Sequence, residues 1–148
     1  METERLDEII EELSIAKENL LSFRDNYLSN RFRKATSDLY FGFEHIAKAL
    51  LLSAGIRPET HKGVSRMLSY HFVKAGIIPV QVVIHLDNLY ERRKIAEYSS
   101  RAGWEFTKDQ LDSYRQSAIS SVRILLDEIK KSIENRILQE LEEVLQRL

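Results

Sequence analysis

The chain has 148 residues, no cysteine and a formal net charge of −1 at pH 7, with 43% hydrophobic and 30% charged residues. A chain of this length forms one domain able to bury roughly 68–70% of its unfolded surface, so it folds without a disulfide or a structural metal. The lack of cysteine excludes thiol catalysis and cysteine-ligated zinc, and the near-neutral charge gives no global pull toward nucleic acid or anionic lipid, so a nucleic-acid role requires a local basic patch.

The first residues, METERLDEIIEEL, are acidic and lack the basic region of a signal peptide. No apolar run approaches 18 residues, so no transmembrane helix is expected and the default location is the cytoplasm. Leu6, Ile9, Ile10, Leu13, Ala16, Leu20, Phe23 and Tyr27 recur at alternating steps of three and four, which predicts a bundle helix over residues 4–28. Leu28-Ser29-Asn30 is a polar break, with Asn30 as the expected N-cap of the next helix. That helix spans Arg31 to Ala54, carries Phe32, Ala35, Leu39, Phe43, Ile46 and Leu50 on one face, and adds a second apolar row. Apolar residues over most of its circumference make it the central helix of the bundle, with Gly55 as its C-terminal stop.

IRPETHKG forms a loop, followed by a short helix from about Val64 to Lys74 that Gly76 ends. Pro79 opens a fourth helix to about Glu97, with Val80, Val83, Ile84, Leu86 and Tyr90 facing inward. A second loop, 99–106, carries the single tryptophan, Trp104, beside Gly103. Thr107 and Gln110 read as a capping box. From Lys108 to Leu148 the helical pattern runs on without a breaker. Either this long C-terminal helix breaks near Asn135, or its last turns overhang and pair with another chain. The expected fold is all-α, an up-and-down antiparallel bundle of about five helices, with a core over about 4–134 and a helical extension over 135–148 that could serve as an oligomer contact.

No phosphate-binding glycine loop is present, neither GxGxxG nor GxxxxGK[ST]. His45, His61, His71 and His85 are too dispersed for a metal site and no HExxH or Glu-x-x-His occurs, so neither a metal nor another cofactor is expected. The strongest local anomaly is Tyr90-Glu91-Arg92-Arg93-Lys94-Ile95-Ala96-Glu97-Tyr98, three consecutive cations near a helix C-terminus. Complementing the helix dipole explains them cheaply. The functional reading is a phosphate-binding patch, since guanidinium grips phosphate oxygens bidentately and tyrosine stacks on a base. Arg57, His61 and Lys62 join it if their loop folds over the same end.

Three stretches together resemble the HEPN domain family, in particular a branch of small stand-alone prokaryotic proteins. The first is Ser37-x-x-Tyr40-Phe41-Gly42-Phe43-x-His45-x-Ala47-Lys48-Ala49-Leu50-Leu51. The second is Gly55-Ile56-Arg57-Pro58-x-Thr60-His61-Lys62-Gly63, followed by His71-Phe72-Val73-Lys74-x-Gly76. The third is Arg93-x-x-Ala96-Glu97-Tyr98, where the branch usually has Arg-x-x-Ala-Asp-Tyr. The resemblance implies a homodimer. It also implies either a metal-independent RNase toxin or a protein paired with a small nucleotidyltransferase antitoxin. In the family's catalytic motif a histidine follows an arginine by four to six positions, as a general acid or base on the 2′-hydroxyl and leaving oxygen, while the arginine stabilises the phosphorane.

Here Arg93 is present, but Lys94 follows it, Tyr98 stands five positions on, and no histidine occurs after His85. Tyrosine, with a reference pKa of about 10, is a poor base near neutral pH. Arg66 and His71 have the family's interval but lie on another helix, so that match is set aside as coincidence. The candidate reacting residues are Arg93 and Tyr98. The candidate ligand-binding residues are Arg92, Lys94, Glu97, His61, Lys62, Arg57, His45 and Tyr40. The first reading is a nucleotide- or RNA-binding partner of a nucleotidyltransferase without standard RNase activity. The alternatives are an RNase toxin combining Arg93, Tyr98 and a recruited histidine, and a scaffold protein acting through residues 133–148.

Overall fold

A computed structural model describes residues 1–98 and 105–148, so the predicted loop around Gly103 and Trp104 lies outside the described residues. Among the described residues the chain is all-α, with no strand. Its helices are α1 (Thr3–Leu28), α2 (Phe32–Ser53), α3 (His61–Leu68), α4 (Val80–Tyr98), α5 (Lys108–Lys130) and α6 (Arg136–Arg147), and a π turn, Ser69–Val73, extends α3.

The α1–α2 hairpin is the frame. Ile9, Leu13, Ala16, Leu20 and Phe23 of α1 are buried against α2. A Cβ placed on Gly42 would stand 2.7 Å from Leu20 Cδ2, so the absent side chain at Gly42 is what lets the two helices approach. Polar contacts fix the register. Ser22 and Asn26 donate to Asp38 Oδ2 at 3.0 and 2.7 Å, and His45 Nδ1 meets Glu12 Oε2 at 2.5 Å. Burial raises the Asp38 pKa above the usual carboxylate value, and those two donors pull against it. Helix α2 also packs against α3, α4 and α5, as its wide apolar stripe requires.

The helix ends separate what local chemistry decides from what it does not. Gly55 adopts φ +78, and its amide and that of Ile56 bond back to Leu52 and Leu51 carbonyls, a Schellman stop. Asn30 is not the N-cap of α2. It takes a left-handed φ of 59 and closes α1 in the same way, with Arg31 N donating to Asn26 O at 2.7 Å. The Thr107–Gln110 capping box at α5 forms as the sequence predicts.

The long C-terminal pattern breaks. Helix α5 ends at Lys130, and the Asn135 side chain accepts from Ile137 N at 3.0 Å to start α6. Helix α6 turns back and buries Ile137, Leu138, Leu141, Val144 and Leu145 against α1 and α5, with Lys17 and Glu140 paired at 3.5 Å across its edge. The apolar stripe that could have overhung is therefore used within the chain. Helix α4 also sits in a different phase from the one expected. Val82, Val83, Leu86 and Leu89 face the core, whereas Val80 and Ile84 are about half exposed. With valine, isoleucine or leucine at so many positions between 80 and 86, periodicity alone does not select the face.

Replacing Gly42 with valine should cost about 2 kcal/mol or more in urea unfolding. The overpacking of Leu20, about 1–3 kcal/mol, outweighs the modest helix-propensity gain of leaving glycine. Unchanged or raised stability of Gly42→Val would mean that α1 and α2 do not meet so closely at this point.

Candidate functional site

Tyr40 lies in the middle of α2 and is 1% exposed. A buried phenol needs a hydrogen-bond partner. Its hydroxyl lies 2.8 Å from Nδ1 of His61, the first residue of α3. The other ring nitrogen of His61, Nε2, donates to Asp87 Oδ1 at 2.9 Å, and Ser65 Oγ donates to Asp87 Oδ2 at 3.0 Å. With Nε2 carrying a proton, a neutral His61 accepts the Tyr40 hydroxyl proton at Nδ1. This chain joins α2, α3 and α4, and the Thr60 side chain, accepting from Gly63 N, starts α3 where it must start. The His61 ring also stacks on Tyr90, with centroids 3.7 Å apart and planes at 14°.

Burial pushes the Tyr40 pKa far above its ordinary value of 10.0, with the charge of buried Glu44 adding to the effect and the nearby Arg93 cation opposing it.

Arg93, one turn beyond Tyr90, lies among aromatic rings. Its guanidinium carbon is 4.8 Å from the Phe41 centroid, 5.5 Å from Tyr40, 5.8 Å from Tyr98 and 5.9 Å from Tyr90. Glu97 holds it from the next turn at 3.1 Å. Its Nε is buried and has no hydrogen-bond partner among the described residues. The guanidinium is thus oriented by ring faces and a single carboxylate, with donor capacity left over. Tyr98, 75% exposed, stands at the open side. Lys94 lies over Tyr90 at 4.9 Å and pairs with Glu91 at 3.1 Å.

The structure therefore brings Tyr40, His61, Arg93, Lys94, Glu97 and Tyr98 into one cluster, with Lys62 at the rim of an adjoining cleft of about 650 Å³ between α3 and α4. Three sequence candidates fall elsewhere. Arg57 is drawn away by Glu8 at the start of α1. His45, 140° around α2 from Tyr40 at 100° per residue, points to Glu12 on α1. Arg92, a residue's turn from Arg93, lies over Phe106 at 4.3 Å and bonds to Gln110 Oε1 at 2.7 Å and the Glu105 carbonyl. Arg33 covers the same ring at 4.6 Å and donates to the Ala96 carbonyl at 2.8 Å, closing the end of α4.

Sequence reasoning missed Asp87 and Ser65, and it placed Tyr90 among the inward residues and at the head of the basic stretch without joining it to His61. The available signal was a carboxylate between Leu86 and Leu89, three residues before Tyr90 and so on the same helical face.

An all-α bundle whose fourth helix ends in a caged arginine and an exposed tyrosine is the class that these elements define. The HEPN domain model matches residues 10–133, and the chain belongs to that family. Two proteins of Methanocaldococcus jannaschii are similar to it. "Putative toxin MJ0605" is 29% identical over 86% of this chain and 90% of its own length, and "Putative toxin MJ0142" is 32% identical over 67% and 63%. The UPF0332 protein PH1297 of Pyrococcus horikoshii is 39% identical over 49% of this chain and 51% of its own.

The raised Tyr40 pKa sets an alkaline limit to stability. The unfolded chain releases this proton near pH 10 and the folded chain does not, so the stabilisation is complete below that pH and declines as pH rises above it. Tyr40→Phe should flatten the decline seen in urea unfolding above pH 10. At neutral pH it should cost about 1–3 kcal/mol, because His61 loses its partner. An equally steep alkaline decline in both proteins would count against the buried phenol.

Proposed function

We propose that this protein is a toxin-like HEPN protein that binds a nucleotide or an RNA phosphate at Arg93, and that it works as a homodimer with a small nucleotidyltransferase in a toxin–antitoxin-like pair. The observation that carries the reading is Arg93 itself, its guanidinium caged by aromatic rings and, among the described residues, ion-paired with Glu97 alone. A guanidinium fixed in this way meets phosphate oxygens without first losing conformational freedom. Tyr98 offers a ring or a hydroxyl beside it. The toxin names of the archaeal relatives support the toxin-like reading. With no histidine after Arg93 on α4, the standard Arg–His division of labour has no second member on that helix.

A second reading is favoured by one observation. His61 arrives from α3 and stacks on Tyr90 beside Arg93. In an RNase of this design His61 would take the 2′-hydroxyl proton while Arg93 stabilised the phosphorane. One of the two ring nitrogens would first have to release Tyr40 or Asp87.

Arg93→Ala should weaken binding of a mononucleotide and of single-stranded RNA at least tenfold, read by calorimetry. Arg93→Lys should recover little of the loss, because lysine lacks the bidentate fork. Wild-type protein incubated with RNA should leave it intact at pH 6 to 8. Cleavage lost in both Arg93→Ala and His61→Ala would instead establish the second reading. Binding that survives Arg93→Ala would remove Arg93 from the site. The pairing expects a small nucleotidyltransferase encoded in the neighbouring gene that forms a complex with this protein on size-exclusion chromatography after co-expression, and the absence of such a gene or of the complex would refute it.

A further inference from the structure

Beyond the Arg93 cluster, α3 and its π turn carry a row of exposed side chains that neither the packing nor the site absorbs. Lys62, Arg66, Tyr70 and Lys74 recur every four residues on the face opposite the buried Val64, Leu68 and Phe72. None of the three cations has an ion-pair partner among the described residues. Tyr70 is 61% exposed yet held in place, edge-on to His71 with centroids 4.9 Å apart and with the Lys74 ammonium 5.3 Å from its own ring centre.

The inexpensive explanation is solubility and dipole complementarity, and it covers Arg66, in the last turn of α3. It does not cover Lys62. A cation in the first turn faces the positive end of the helix dipole, and Lys62 and Arg66 also repel each other as like charges at i, i+4. Both cations rim the cleft whose opposite wall holds Asp87, Tyr90 and Glu91. Glu91 is paired with Lys94, and Asp87 keeps its charge while it accepts from His61 and Ser65, so with Lys62 and Arg66 the cleft carries a balance of one positive charge.

We propose that this ridge is a docking track for single-stranded RNA, separate from Arg93 and leading to it through the α3–α4 cleft. Lys62, Arg66 and Lys74 engage successive backbone phosphates and Tyr70 stacks on one unpaired base. Cations interleaved with an exposed aromatic are the combination that single strands require, and a duplex offers no free base face to Tyr70. From Lys62 to Lys74 the track runs about 18 Å, room for a few phosphates. The Tyr90–His61 stack connects the cleft to Arg93. The proposal rests on the RNA-binding reading above and adds that a strand is held at more places than a mononucleotide.

The experiment compares a fluorescent 12-nucleotide uridine oligomer, an abasic ribose-phosphate oligomer of the same length and UMP. Binding is followed by anisotropy for the oligomers and by calorimetry for UMP, over a range of salt. Arg66→Gln/Lys74→Gln should weaken the uridine oligomer about tenfold or more and lower the slope of log affinity against log salt by about 1.4, since each phosphate contact on a single strand contributes about 0.7. UMP should bind this variant as it binds the wild type. Tyr70→Ala should cost about 5- to 100-fold on the uridine oligomer and almost nothing on the abasic one. All three side chains are exposed, so circular dichroism should be unchanged. An unaltered affinity and salt slope overturns the track, and if Arg93→Ala still abolishes binding, the Arg93 reading survives that failure. Equal losses for Tyr70→Ala on both oligomers overturn base stacking. Variants that bind RNA normally but no longer bind the nucleotidyltransferase would make the ridge a protein-docking face and refute the proposal. A wild type that binds no RNA overturns both readings.

Discussion

The hydroxyl of Tyr40 is the constraint on which the site depends. A phenol buried in the middle of the central helix is costly unless its oxygen is paired, and no backbone group of a regular helix is free to pair with it. The partner comes from α3, and its own second nitrogen must then be satisfied from α4. One unavoidable hydrogen bond thus sets where α3 begins, which way the loop before it runs, and which face of α4 meets α2. The Tyr90 stack and the ring cage of Arg93 follow from that placement, because both side chains lie within the last turns of the helix that Asp87 anchors.

The rest of the bundle keeps those helices in place. Gly42 brings α1 against α2, and Tyr27 of α1 donates to Asp112 of α5 at 2.5 Å. His85 of α4 and Ser121 of α5 meet at 2.9 Å. These contacts are distributed and individually modest, whereas the apolar core they border is continuous from α1 to α6. The division is physical. Burial supplies most of the stability, and a few paired polar groups select the register in which that burial occurs.

Cationic side chains on α4 and its neighbours have distinct assignments. Arg92 and Arg33 close over Phe106 and tie the end of α4 to the start of α5, while Arg93, next in sequence to Arg92, faces the tyrosines. Consecutive residues on a helix point about 100° apart, so a basic run that reads as one patch becomes two structures with different work. Lys94 is neutralised by Glu91. Lys62, Arg66 and Lys74, on α3 and the turn that follows it, have no ion-pair partner among the described residues.

The sequence by itself determined the helical class, four of the six helices among the described residues to within a few residues, the start of α5, the Gly55 stop, the Thr107 capping box and the family. All of these are written in local periodicity, in cap chemistry or in contiguous motifs. It also marked Arg93, Tyr98, Tyr40 and His61. It did not determine that Tyr40 and His61 touch, that Asp87 and Ser65 complete the chain, or that His45, Arg57 and Arg92 face elsewhere. Those facts depend on the rotation of each helix about its axis and on contacts between residues far apart in the chain. The break between α5 and α6 lay between the two. Asn135 offered a cap, but an uninterrupted apolar pattern fits one long helix as well as two. The decision went to the break because only a returning α6 buries Leu141 and its neighbours against α1 and α5.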